Sequence, residues 1–313
     1  MEQLRNKEEN FVSVVLYLNK ADTNIYDFLH MIYRIMENNF KKFEIICVND
    51  DAGEFVAEQL KMFKQETAIK ALSVINMGYS QGLEASMNAG IDLSIGDYVF
   101  EFDSCYIDYD PELIMQVYDK CQLGYDIVMA KPPVKSTSMM SRFFYHMFNK
   151  FSNMQNELST ERFCIISRRA VNRVQAYSKT IPYRKAVYAA SGLNVAQIEY
   201  CVNQQTSGKK TKDNARINTA TDAIVLFTDI AYRISLFLSI LMAIVMLGFG
   251  VYTIIVYIGK TKPVAGFSPI MGVMCLGFLS LFILMTFLFK YLQVLVHMVF
   301  KRQKYMIASV EKL

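Results

Sequence analysis

The chain has 313 residues, enough for one α/β domain of ordinary size and a further module. A formal net charge of only +4 lacks the concentrated basic footprint of a nucleic-acid-binding protein, so no nucleic-acid partner is expected. The six cysteines (Cys47, Cys105, Cys121, Cys164, Cys201 and Cys275) show no C-x-x-C spacing, and several sit in apolar runs. They read as buried free thiols in a reducing compartment.

Met1 to Asn10 is charged and has no apolar h-region, so no secretory signal is expected there and the globular part is placed in the cytoplasm. From residue 11 short β-rich runs alternate with helical stretches. Phe11 to Leu18 is a continuous apolar strand ending in Asn19-Lys20-Ala21-Asp22, followed by helical spacing over Ile25 to Met36. Phe43 to Val48 ends in Asn49-Asp50-Asp51-Ala52-Gly53, with a helix to about Gln65. Ala71 to Ile75 ends at Asn76-Met77-Gly78, and a helix runs from Gly82 to Leu93. Tyr98 to Phe102 ends at Asp103; a helix starts near Pro111-Glu112, and Asp126 to Ala130 is a fifth strand. Strands apolar on both faces, alternating with helices, predict a mostly parallel sheet covered on both sides. Ligands of such sheets bind outside the carboxyl ends of the strands. Here those ends carry Asn, Asp or Gly.

Ser138 to Met154 places Met139, Met140, Phe143, Phe144, Met147, Phe148, Phe151 and Met154 on one helical face, with Arg142, His146, Asn149 and Lys150 opposite. A core-facing helix and an amphipathic helix in a membrane interface both satisfy that pattern. Residues 213–233 read as a juxtamembrane helix. Two apolar runs follow, about 234–258 and 267–289, each of the roughly 20 residues that a membrane crossing needs. Basic residues flank the pair on the outside (Lys209, Lys210, Lys212, Arg216 and Arg233 before; Lys290, Lys301, Arg302 and Lys304 after). The expectation is a multi-pass hairpin in the cytoplasmic membrane, with the domain and both termini in the cytoplasm and 301–313 as a tail. Small residues in the runs (Gly248, Gly250, Gly272, Gly277) leave room for close packing in a homo-oligomer.

Asp103 is the leading chemical candidate. A carboxylate at a strand tip can hold Mg²⁺ or Mn²⁺, a hard ion that bridges phosphate oxygens and neutralises a departing diphosphate. Asp108 and Asp110 follow closely, although Asp110-Pro111-Glu112 also reads as a helix start. Asp50 and Asp51 are placed to accept from a base or a ribose; Asn76 and Gly78 let backbone approach a ligand. No G-x-G-x-x-G or P-loop follows the first strand, and His30, His146 and His297 are scattered, which argues against dinucleotide, NTPase and zinc chemistry. Lys209, Lys210 and Lys212 suit either a lipid phosphate or a plain membrane flank.

VSVVLYLN at Val12, VNDDA at Val48, NMG at Asn76, NAGIDLSIGDYV at Asn88, SRFFYHMFNKFS at Ser141 and FKRQKYMIA at Phe300 together resemble family 2 glycosyltransferases of the GT-A fold. Within them the chain is similar to polyprenyl-phosphate glycosyltransferases related to dolichol-phosphate mannose synthase. The resemblance implies a GT-A domain over 1–212, an interfacial helix, and a two-helix membrane hairpin within 234–300. It also implies transfer of one sugar from a UDP- or GDP-linked donor to a polyprenyl phosphate. Under it Asn19, Asp50, Asp51, Asn76, Gly78 and Asp103 bind the nucleotide sugar. Asp103, Asp108 and Glu161 form the catalytic set, with Asp103 on the metal. Arg142, Arg168, Lys209, Lys210 and Lys212 hold the acceptor phosphate.

Three departures stand against that pattern. Cys105 replaces the second Asp of D-x-D, and soft sulfur suits a hard ion poorly. Arg162 stands where an acidic residue is usual, with Cys164 in place of an Arg. The opening strand lacks its Pro, and Lys20 replaces an acidic residue. On the D-x-D reading, Cys105→Asp keeps or raises metal-dependent turnover. The alternatives are a glycosyltransferase with another lipid-linked or glycan acceptor, and a catalytically silent GT-A scaffold. The absence of Trp removes the Q-x-x-R-W motif of processive synthases.

Overall fold

The computed structural model describes residues 7–20, 22, 24–133, 139–151, 158–177, 183–202, part of 237–251, 267–300 and 305–313. The chain divides into two compact units, Met1–Ala220 with Arg302–Leu313, and Thr221–Lys301.

The first unit alternates strands and helices as the apolar runs predict. In order they are β1 (Glu8–Leu18), α1 (Ile25–Asn39), β2 (Phe40–Asn49), α2 (Glu54–Glu66), β3 (Leu72–Met77), α3 (Leu83–Leu93), β4 (Tyr98–Phe102) and α4 (Glu112–Gln122). Then come β5 (Ile127–Lys131), α5 (Met139–Phe151), β6 (Phe163–Ser167), α6 (Arg168–Tyr177), α7 (Arg184–Ala190) and β7 (Val195–Glu199). Among the described residues eight strands, the last being β8 (Ile307–Lys312), form one sheet in the order β7-β5-β6-β4-β1-β2-β3-β8. β3, β2, β1 and β4 are mutually parallel, so their carboxyl ends share one edge. β6 and β8 run antiparallel to their neighbours.

Burial explains why these segments are strands and helices. Val12 to Leu18 is buried at every position, as a central parallel strand covered on both faces requires. α1 buries Ile25, Phe28, Leu29, Ile32 and Met36, a one-face stripe at helical spacing. α3 lies unusually close to the sheet: a Cβ at Gly90 would come within 2.4 Å of Val15 and 2.8 Å of Val48. A larger side chain there would overpack the interface. Ser13, buried mid-strand, donates to Glu44 at 2.5 Å and accepts from the Gly96 amide at 2.8 Å, so its hydroxyl is satisfied.

α5 settles part of its own ambiguity. Phe148 is fully buried, so the apolar face docks on the domain, and Asn149 of the opposite face exchanges two hydrogen bonds of 2.9 Å with the Leu158 backbone. Arg142, His146 and Lys150 are exposed.

The C-terminal residues, expected as a tail, re-enter the first unit as β8 and pair with β3 from Ser73↔Lys312 to Met77↔Ile307. In the second unit α8 (Phe267–Phe300) is 34 residues long, about 50 Å at 1.5 Å per residue. Phe278, Phe282, Leu288 and Phe289 project outward from it. Among the residues whose side chains are described, no helical stretch is long and apolar enough to cross a membrane. The 234–258 run is described only between 237 and 251, where the described residues are helical. Lys209, Lys210, Lys212 and the juxtamembrane stretch 213–233 lie outside the described residues.

Candidate active site

The carboxyl edge of β1, β2, β3 and β4 brings together Asn19, Asp50, Asp51, Asn76, Gly78 and Asp103, which are dispersed in sequence. Their hydrogen bonds assign them different work. Asp50 is buried and accepts from the Tyr17 hydroxyl at 2.9 Å, the Ser80 hydroxyl at 3.3 Å, and the backbone amides of Gln81 at 2.7 Å and Gly82 at 2.9 Å. It stabilises the N-terminal entry of α3, where a negative charge offsets unpaired amides and the helix dipole. Asp51 stands at the rim in a left-handed conformation (φ 58°) with Lys20 Nζ 2.9 Å away. The Asn19 amide donates to Asp22 at 3.0 Å, closing the loop after β1. Asn76 accepts from Asn49 at 2.9 Å and donates to Ser309 at 2.9 Å and Glu311 at 2.8 Å. The Gly78 amide donates to the Met306 carbonyl at 2.9 Å. The returning strand β8 and the Met306 that precedes it thus sit against Asn76 at the end of β3 and Gly78 just after it, the two residues that the sequence points to for a ligand.

Asp103 leads into a buried charge cluster. Arg184, the first residue of α7, is almost wholly buried. Its guanidinium reaches Glu84 at 3.0 Å, Glu101 at 2.5 Å and Asp103 at 2.7 Å. Lys185 Nζ lies 2.9 Å from the other Asp103 oxygen and 3.1 Å from Glu161. Tyr188 donates to Glu101 at 2.6 Å. Burial opposes ionisation of Asp103, but Lys185 and Arg184 outweigh it and hold the carboxyl below its usual range. Burial pushes Glu101 up to about 7 despite Arg184 and the Tyr188 hydrogen bond, and raises Glu161 despite Lys185.

Glu161 arrives at this edge because β6 is antiparallel to β4: Phe163 pairs with Phe102, so the residues preceding β6 meet those following β4. The same reversal sends Arg168 to the opposite edge. There it donates to the Gly96 carbonyl at 2.8 Å and Ser94 at 3.0 Å, so it cannot join Asp103 at an acceptor phosphate. Asp108 is also committed, accepting from Arg162 through two guanidinium nitrogens and from the Tyr200 hydroxyl at 2.8 Å. Arg162 therefore neutralises a carboxylate of the expected catalytic set. Sequence reasoning missed Glu84, Arg184, Lys185 and Tyr188. One signal was legible: Glu101 inside the apolar run YVFEF demands a buried partner.

A divalent ion at Asp103 does not fit the donors present. Both Asp103 oxygens already face protein cations. Cys105, the position of the second D-x-D ligand, is buried in the hydrophobic core, and burial pushes its thiol well above the ordinary range. A neutral thiol turned into hydrocarbon offers no bond to a hard cation. Among the described residues, no group of three or more His, Cys, Asp or Glu is arranged to hold a metal.

The mixed α/β sheet with acidic strand tips is a GT-A arrangement. It is shared with a mannosyltransferase of Pyrobaculum calidifontis solved with GDP-mannose and Mn²⁺, at a TM-score of 0.51 and 10% identity over 95% of this chain and 89% of that one. The signature of glycosyl transferase family 2 matches residues 14–180, more than half of the chain. The protein belongs to that family and is a glycosyltransferase. It is 26% identical to a bactoprenol glucosyl transferase of Shigella phage SfX over 75% of this chain and 78% of the relative. Identity to a prophage bactoprenol glucosyl transferase homolog of Escherichia coli is 25%, over 85% and 88%. An uncharacterized glycosyltransferase of Synechocystis is 22% identical over 83% of both chains.

Proposed function

We propose that the protein moves a single sugar from a nucleotide-diphosphate donor to a polyprenyl phosphate at the cytoplasmic leaflet of a membrane. The supporting observation is the pair of similarities to bactoprenol glucosyl transferases, which cover 75% and 85% of this chain. In this reading α8 and the partly described apolar run before it form the membrane hairpin, and the exposed Arg142 of α5 faces lipid headgroups. Asp51 and Lys20 stand at the rim where the nucleoside enters.

The chemistry asks little of a general base. A phosphate monoester, with its second pKa near 6, is already largely dianionic at neutral pH. One of its oxygens attacks the anomeric carbon while the bond from that carbon to the diphosphate breaks, so no proton has to move. The protein's share is positioning and charge compensation.

The test is a radiolabelled transfer assay on detergent-purified protein, with polyprenyl phosphate and a panel of nucleotide sugars. Label in a lipid-extractable, mild-acid-labile product is expected. Folded protein that transfers from no donor would favour the silent scaffold, a reading that the engagement of Asp103 and Asp108 by protein cations keeps in view.

A further inference from the structure

The four carboxylates of the Asp103 cluster, Glu84, Glu101, Asp103 and Glu161, are unevenly served. Arg184 takes three of them, on elements α3, β4 and the β4 tip. Lys185 bridges the remaining gap, its ammonium between Asp103 Oδ2 and Glu161 Oε1 at 2.9 and 3.1 Å. The second Glu161 oxygen is buried and has no hydrogen-bond partner. Two carboxylates from different segments converging on one point, one of them with an unspent buried oxygen, make a cation seat. A side-chain ammonium fills it.

We infer that Lys185 is the resident cation of this site, occupying the place between Asp103 and Glu161 that a divalent metal would take, and that the protein therefore binds no Mg²⁺ or Mn²⁺ there. An ammonium is a compact point charge with three donors, so it satisfies two carboxylates at once. A metal would have to expel it into a cluster where Arg184 cannot compensate, because the guanidinium is already spent on three partners. The inference leans on the proposed function only for what the cation serves, namely a phosphorylated donor at the strand tips. The site itself is read without any donor.

The experiment is a Mn²⁺ titration of full-length, detergent-purified protein followed by electron paramagnetic resonance. Wild-type protein is expected to leave the free-ion spectrum unchanged into the millimolar range. Lys185→Ala vacates the seat and is expected to bind Mn²⁺ at least tenfold more tightly than wild type. Adding Glu161→Gln to that variant is expected to abolish the gain, which a general loss of positive charge would not produce. Wild-type binding at micromolar Mn²⁺ that disappears in Asp103→Asn would overturn the inference, and this arm stands even if Lys185→Ala fails to fold. So would a folded Lys185→Ala variant that gains no Mn²⁺ affinity. Because no nucleotide sugar is present, an inactive enzyme in the transfer assay does not alter these outcomes.

Discussion

Removing the guanidinium of Arg184 leaves Glu84, Glu101 and Asp103 buried without their shared cation. Truncating one partner of a buried ion pair costs about 3–5 kcal/mol. Arg184→Ala is thus expected to lower the unfolding free energy by that order, read from a denaturant titration of the detergent-solubilised protein, and wild-type stability in the variant would refute the cluster. Cys105 carries a second expectation at this scale. From D-x-D spacing alone, Cys105→Asp restores a ligand; in the structure it delivers a carboxylate into the core. Burying an unpaired acid there is expected to destabilise by at least about 3 kcal/mol. Circular-dichroism melts beside Mn²⁺-dependent turnover separate the two accounts, since a restored ligand raises turnover and a buried charge lowers the melting temperature.

At the scale of elements, α7 and β8 decide the site. α7 is only seven residues long, and its first two residues provide both cations at the Asp103 tip. β8 covers the edge of β3, and the Met306 carbonyl just before it holds Gly78, with Gln81 bonded to both polar backbone atoms of Met306. Its outward residues are exposed, so backbone pairing and the Asn76 contacts, rather than burial, keep it there. Deleting residues 305–313 uncovers that edge. Hydrogen exchange at the Gly78 amide is expected to accelerate at least tenfold in the truncated protein, while amides of β1 keep their protection. Unchanged exchange at Gly78 would show that β8 does not pair in solution.

For the molecule as a whole, the proposed membrane hairpin sets how the protein is extracted. A 34-residue helix with Phe282, Leu288 and Phe289 directed outward presents apolar surface that water solvates poorly. Alkaline carbonate is expected to leave the full chain in the membrane pellet, and detergent to release it. Release by carbonate alone would assign the protein to the membrane surface instead.

Much of the architecture is legible in the sequence because it is written locally. The runs FVSVVLYL and FEIICV, apolar on both faces, require a covered parallel sheet, and the Asn and Asp residues ending them mark the ligand edge. The apolar stripe of α1 is likewise visible at helical spacing. The partners of those edge residues are not local. Arg184 lies 81 positions from Asp103, and Asn76 meets Glu311 across 235 positions. No periodicity encodes such pairings. The antiparallel sense of β6 alone separates Glu161, which joins Asp103, from Arg168, which does not, and strand direction follows from how the whole sheet closes. The sequence by itself determined a GT-A transferase with an acidic strand-tip edge; only the tertiary structure decided which cations that edge faces, because a buried charge is neutralised by whatever the fold carries to it.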